Sequence, residues 1–280
     1  MSDNLTRGLV GDLARYIIVD ATAIAEQTRQ FHELTRDAVR IAAEGVVASI
    51  FLSAHIKGEE RITVQIQGSK PECGFMCDVD AMGGVRARLT PEVAVLPPMG
   101  RMEGMMMVAK SLPGQIPYRG VTEVKAETLE SALHRHLGAS AQVDAILRIG
   151  AEIAEDGTVT RAGGILLERL PHDGPNEGEA LAEFAVGFDP LRFQSISEIL
   201  AAVDAGALEG SKVEELESRE LVWRCSCGQE RVEAVLSTLP TEDLQVMIDE
   251  DDGAEITCHF CNVSYQVSAD RLAQFIATRS

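Results

Sequence analysis

Residues 223–230 read WRCSCGQE and residues 257–264 read TCHFCNVS. Four thiols fall here into two tight pairs, Cys225-x-Cys227 and Cys258-x-x-Cys261, with thirty residues between the pairs. Thiolates hold zinc tetrahedrally at about 2.3 Å, and ligands this close in sequence let one turn of backbone supply two corners of the tetrahedron. Two such pairs complete a closed site, so Cys225, Cys227, Cys258 and Cys261 are the candidate ligands of one zinc ion per chain. His259, inside the second pair, could replace a thiolate but is redundant beside four cysteines. An inert structural zinc ribbon fits the same spacing. CxC is nonetheless unusual for such ribbons, and two cysteines one residue apart can close into a small, strained and therefore labile disulfide. That feature tilts the reading towards redox sensing.

The flanking sequence supplies a frame for the thiols. AEIT, CHFC and VSYQV read as strand, knuckle and strand, and Ser268 is a good N-cap for an amphipathic helix after them. The intervening residues carry ERVEAVLSTL and TEDLQVMIDE, two helices separated by Pro240. A module of about 55 residues buries too little surface to be secure without a staple. Structural zinc contributes about 10 to 16 kcal/mol of apparent binding free energy, so metal loss is expected to unfold the module. Trp223 and Phe260 are expected to pack its small core.

Upstream, ARYIIVD at 14–20 reads as a strand and ATAIAEQTRQFHEL as an exposed helix. TRDAVRIAAEGVVASIFLSAHIK, with Thr35 as N-cap, becomes apolar nearly all round and is the expected central core helix. RITVQIQG alternates, with Ile62, Val64 and Ile66 on one face. GFMCDVD and VRARL flank AMGG, where Gly83 and Gly84 suit a hairpin turn. Further strands are expected at GMMMVAK and GVTEVK, a helix over TLESALHRHL, and a hairpin of AILRIGAEI with TVTRAGGILLERL around Asp156 and Gly157. MEGMMM reads as strand core, and His134 and His136 as a solvated helix face. Cys77 alternates with Phe75 and Val79 as a buried thiol, and in an extended strand it lies about 13 Å from Cys73, too far for a disulfide.

LPHDGPNEGE breaks the pattern at 170–179, after which ALAEFAVGF and SISEILAAVDAG turn helical. The expected organisation is therefore α+β: an N-terminal antiparallel-sheet domain with packed helices over 1–179, a helical linker over 180–222, and a small zinc-binding α+β domain over 223–280.

Charge and hydropathy narrow the function classes. The net charge is -19, and between Ala201 and Thr257 there are 15 Asp or Glu against 4 Lys or Arg. Nucleic-acid binding runs on Lys and Arg displacing counterions, so no nucleic-acid partner is expected. The longest apolar run, GVVASIFLSAHI, is shorter than the roughly 20 residues of a membrane-spanning helix. The N-terminus lacks the pattern of a secretory signal, and a cytoplasmic location without membrane contact is expected. Structural disulfides are unusual in a reducing compartment, which returns the cysteines to metal or redox work.

CSC at 225–227 and CHFC at 258–261, with ERVEAVL and MIDEDDGAEITC between the pairs, resemble the heat shock protein 33 family of redox-regulated chaperones. Looser similarity runs through VDATAIAEQTRQFH, ERITVQIQG, PYRGVTEV and EDGTVTRAGGILLERLP, over most of the chain. Cys73 and Cys77 are additional to that pattern. The resemblance implies an ATP-independent holdase, inactive when reduced and zinc-bound. Oxidant would pair Cys225 with Cys227 and Cys258 with Cys261, release the zinc and unfold the switch. It implies unfolded or partly unfolded client proteins as partners, with Phe184, Phe188, Leu191, Phe193, Ile196 and Leu200 exposed as the linker loosens; homodimer formation on oxidation stays open. No Walker motif occurs, and no enzyme activity is expected. Two rivals remain: a zinc ribbon that binds protein or nucleic acid without chaperone activity, and a thiol oxidoreductase using CHFC. The second needs a helix N-terminus after the motif, where the sequence places a strand.

Overall fold

The computed structural model describes residues 2–90, 100–141, 144–170, 189, 191, 196–206 and 212–278. Its contacts divide the chain into two units, Met1–Arg224 and Cys225–Ser280. In the first, β1 (Asn4–Val10) and β2 (Ala14–Asp20) form a hairpin that turns at Gly11 with φ of 53°. Helix α1 (Thr22–His32) follows directly. Its N-cap position is held by Ala21, which has no side-chain oxygen, and the buried Asp3 carboxylate takes that role from outside the helix. Asp3 accepts hydrogen bonds from the backbone N–H groups of Ala23 and Ile24 at 2.9 and 2.6 Å.

Helix α2 (Arg36–Leu52) is buried on almost every side, from Ala38 to Phe51, as its apolar sequence requires. A Cβ at Gly45 would lie 2.6 Å from the Phe75 ring, so glycine here is a packing requirement. Five antiparallel strands follow in two groups: β3 (Arg61–Lys70), β4 (Glu72–Asp80) and β5 (Gly84–Thr90), then β6 (Met102–Ser111) and β7 (Tyr118–Glu127). The β4–β5 turn uses Gly83 at φ of 82°, while Gly84 keeps to the ordinary region. Helix α3 (Leu129–His136), extended by a π-helical turn (Leu137–Ala141), leads to the hairpin of β8 (Ala145–Ile153) and β9 (Val159–Arg169). Then come helix α4 (Ile196–Gly206), β10 (Val213–Glu220) and the short β11 (Val222–Trp223).

The strands assemble as one sheet in the order β10-β1-β2-β9-β8 and another in the order β11-β5-β4-β3-β6-β7. Helices α1 and α2 lie between them, and Leu5, Ile17, Val19 and Leu166 of the first sheet share one core with Ile62, Val64, Phe75 and Val79 of the second. The opposite face of the first sheet carries Val10, Leu13, Ala14, Tyr16, Ile18, Ile165 and Leu167, packed with Ile199 and Val203 of α4.

The mixed α+β class and the order of elements follow the sequence reading closely, with four differences. Residues 213–220 are not helical but form an antiparallel edge strand, β10, on β1, and β1 itself was not expected. Glutamate-rich VEELESRE reads as helix by propensity, yet backbone pairing and the Arg7–Glu217 ion pair hold it extended. His136 is buried and shares a 2.8 Å hydrogen bond with Thr122 Oγ1, because α3 turns that face onto β7. The Met run divides by strand alternation, with Met102 and Met106 buried and Met105 exposed. Trp223 belongs to the larger unit, meeting Phe31 edge-on at 5.0 Å. The expected helix over 180–188 and the side chains of Phe184, Phe188, Phe193 and Ile196 lie outside the described residues. Leu191 sits against Gly150, and Leu200 packs at the edge of the α4 cluster.

In the second unit, helices α5 (Gln229–Leu236) and α6 (Thr241–Asp251) precede the hairpin of β12 (Gly253–Thr257) and β13 (Ser264–Ser268), and α7 (Ala269–Ala277) closes it. Ser268 caps α7 by accepting from the Arg271 N–H, as its sequence position suggests. The apolar core is small: Val232, Leu236, Leu244, Val267, Leu272 and Phe275.

Candidate metal centre

Cys225 and Cys227 sit in the extended stretch that leads into α5, and Cys258 to Cys261 form the turn between β12 and β13. That turn is a tight knuckle. Asn262, at φ of 54°, reverses the chain, the Asn262 N–H donates to the Cys258 carbonyl at 2.8 Å, and the Cys258 N–H donates to the Val263 carbonyl at 2.9 Å. Asn tolerates the left-handed region better than most residues, which suits it to this position.

The four sulfurs converge. Sγ of Cys225 lies 3.6 Å from that of Cys258, Sγ of Cys227 lies 3.3 Å from that of Cys261, and all four lie within 4.8 Å of one another. Bonds of 2.3 Å at tetrahedral angles require sulfur separations of about 3.8 Å. A disulfide needs about 2.05 Å. The separations bracket the first value and exceed the second, so the quartet is shaped for an ion at its centre. Four soft thiolate donors suit zinc among the common divalent ions.

Electrostatics leads to the same reading. Burial works against a charged sulfur at Cys258, yet backbone N–H groups of Cys261 and Phe260 and the neighbouring thiols outweigh it and hold the pKa at about 7. At Cys261 burial pushes the thiol up despite the Val263 N–H, and the sulfurs of Cys227, Cys258 and Cys225 push it further. Crowded sulfurs cannot all ionise alone; a central cation reverses that penalty.

Tyr265 completes the environment. Its hydroxyl donates to Cys227 Sγ at 3.0 Å, and this bond, with burial and the nearby sulfurs, raises the phenol to about 12. Sequence reasoning passed over Tyr265. The available signal was alternation in VSYQV, which puts Tyr265 on the same strand face as the buried Val267.

Other candidates fall outside the quartet. His259 is exposed and does not join the group. Phe260 is half-buried and is not part of the apolar cluster of its unit. Cys73 and Cys77 are buried on β4 with their thiols free. Burial raises both, Cys77 to about 12, which makes them poor nucleophiles. The CHFC turn runs into β13 and not into a helix, so the helix N-terminus that activates oxidoreductase thiols is missing there. Among the described residues no helix is long and apolar enough to cross a membrane.

Comparison with known proteins places this architecture. The family model described as Hsp33 protein matches residues 3–268. The 33 kDa chaperonin of a Cyanothece species is 31% identical, with 99% of this chain and 97% of the relative covered. The 33 kDa chaperonin of Symbiobacterium thermophilum is 29% identical, covering 98% and 97%. The crystal structure of the 33 kDa chaperonin (heat shock protein 33 homolog) from Thermotoga maritima superposes with a TM-score of 0.85 over 100% of this chain and 99% of that one. At 20% identity that likeness speaks for the fold.

Proposed function

This chain belongs to the Hsp33 protein family, and on that premise we propose that it is a redox-regulated, ATP-independent chaperone that holds unfolding proteins. The observation that carries the reading is the convergence of four sulfurs within 4.8 Å in a unit whose own apolar core is small. In the reduced state Cys225, Cys227, Cys258 and Cys261 hold one zinc ion and the chaperone is silent. Bound zinc would keep the sulfurs as thiolates and tie the start of the unit to its β12–β13 turn.

Those thiolates are also the targets of oxidant. A thiolate attacks one oxygen of a peroxide, the S–O bond forms as the O–O bond breaks, and hydroxide leaves. A second thiolate then displaces hydroxide from the sulfenic acid to form a disulfide. In the proposed pairing Cys225 joins Cys227 and Cys258 joins Cys261. Sequence neighbours matter here: a cross-link from Cys225 to Cys258 would close a loop of some thirty residues and stabilise the unit by about 3 to 4 kcal/mol. Pairing within each motif removes the ligands without adding such a staple, and the unit unfolds.

Loosening then spreads along the chain through β11 and β10 to α4. Departure of Ile199 and Val203 uncovers Val10, Leu13, Tyr16, Ile18, Ile165 and Leu167, an apolar sheet face suited to non-specific capture of unfolded chains. Neither catalysis nor nucleic acid enters this cycle, and the cytoplasm is its proposed setting. Treatment with peroxide at mild heat is expected to release one zinc per chain and to yield protein that suppresses aggregation of a thermally unfolding client. Full zinc release with no suppression would remove the chaperone assignment. A salt-dependent shift with RNA or DNA would favour the zinc-ribbon alternative instead.

A further inference from the structure

We propose that Tyr265 sets how readily the four-sulfur centre yields to oxidant, by protecting Cys227 through its hydroxyl. The inference rests on the metal-centre reading and adds a positioning residue to it. The phenol reaches Cys227 Sγ at 3.0 Å from a strand, not from a loop. β13 is registered against β12 with Tyr265 opposite Ile256, flanked by Thr257 opposite Ser264 and Glu255 opposite Gln266. Both flanking pairs are tied by side-chain hydrogen bonds, at 2.8 Å for Thr257 with Ser264 and 2.7 Å for Gln266 with Glu255. Tyr265 also packs against the apolar cluster of its unit. Its ring is therefore held in place on two sides, and the direction of the O–H bond follows from the fold.

The chemistry follows from that direction. Sulfur reacts with peroxide as a nucleophile: its electron pair forms the S–O bond while the O–O bond breaks and hydroxide departs. A hydrogen bond donated to the sulfur draws on the same electron density and slows the attack. Cys258 and Cys261 receive donors from the backbone of their own turn, which no truncation of a side chain removes. Cys227 receives its donor from a side chain, so the oxidant threshold of the centre is open to change at one position. Tyr265 acts through Cys227.

The test uses the full chain with Tyr265→Phe, which removes the hydroxyl and keeps the ring. Zinc release after peroxide, followed with a chromogenic chelator, is expected to run about three- to tenfold faster than in the parent, the range for losing the net contribution of one ordinary hydrogen bond. Reduced protein loaded with cobalt(II) supplies a readout that packing alone would not move. Its sulfur-to-cobalt charge-transfer band is expected at lower energy in the variant, with the visible bands of a tetrahedral ion retained. Incorporation of 3,5-difluorotyrosine at 265, a stronger donor, is expected to shift both readouts the opposite way. This second variant decides the matter if the Phe variant folds poorly. Unchanged release rates and an unchanged band in both variants would overturn the role of Tyr265 while leaving the metal centre standing. No charge-transfer band in the parent protein would overturn the centre and the proposal together.

Discussion

Cys258 and Cys261 are three residues apart, yet their thiols are driven in opposite directions, one down to about 7 and the other up. A thiolate at Cys258 is favoured by its neighbours and one at Cys261 is opposed by them, so the sulfurs cannot all ionise together unless a cation at their centre offsets the charge. Replacing any one ligand, for example Cys225→Ser, is expected to reduce bound zinc to below about one tenth per chain and to unfold the module, because structural zinc supplies about 10 to 16 kcal/mol. Metal analysis with far-ultraviolet circular dichroism checks both effects; full zinc in that variant would contradict the ligand assignment. Asp3 offers a second test at this scale. Burial outweighs its two backbone hydrogen bonds and lifts the carboxyl from 3.8 to about 6. A raised folded-state pKa means that the folded chain binds the proton more tightly than the unfolded chain. Its contribution to stability is therefore present below about pH 4, falls as pH rises towards 6, and is flat above, a loss on the order of 3 kcal/mol. Asp3→Asn removes that slope. In urea titrations followed by the fluorescence of Trp223, the single tryptophan, the stability of the variant relative to the parent should rise between pH 4.5 and 7. A constant difference would contradict the shift.

Helix α2 and the strands β3 to β9 were legible because each carries one period: apolar nearly all round for a buried helix, alternating for half-buried strands. Ile62, Val64 and Ile66 are buried as that alternation requires. Where two elements depend on each other and neither carries a period, the sequence was silent. β1 and β10 are such a pair, since VEELESRE exposes most of its side chains and owes its extension to backbone bonds with residues some two hundred positions away. The cysteine quartet was legible from spacing alone, whereas Tyr265 was not, because its partner is set by the β12–β13 register. Two predictions belong to elements. Gly45→Ala gains about 1 kcal/mol of helix propensity but drives a methyl to 2.6 Å from the Phe75 ring. Overpacking of this kind costs about 1 to 3 kcal/mol, so net destabilisation is expected in denaturant titrations. Val203→Asp buries a charge under α4 and should lift that helix from its sheet. Reduced variant protein should then bind a hydrophobic dye several-fold more than the parent and hold clients without oxidant, in the sense of the cost of a buried unpaired charge. Dye binding equal to that of the parent would show that α4 does not cover the client surface.

The molecule as a whole joins a large unit with a broad shared core to a small one that has a cluster of six buried apolar side chains and, besides it, four gathered sulfurs. On the proposed function stability is distributed accordingly: the large unit, with helices between two sheets, would keep its fold without metal, while the small one would depend on its ligands and be the part that oxidation removes. A net charge of -19 would help keep such a chain in solution while apolar surface is exposed, as the proposed holdase role requires. Hydrogen exchange read by mass spectrometry, on reduced zinc-loaded protein and on protein oxidised by peroxide, measures the division directly. Amides of α5, α6, α7, β12 and β13 are expected to lose protection on oxidation, in step with release of one zinc per chain, while those of α2 and β3 stay protected. Retained protection across 229–277, with all four cysteines oxidised and the zinc gone, would contradict the account.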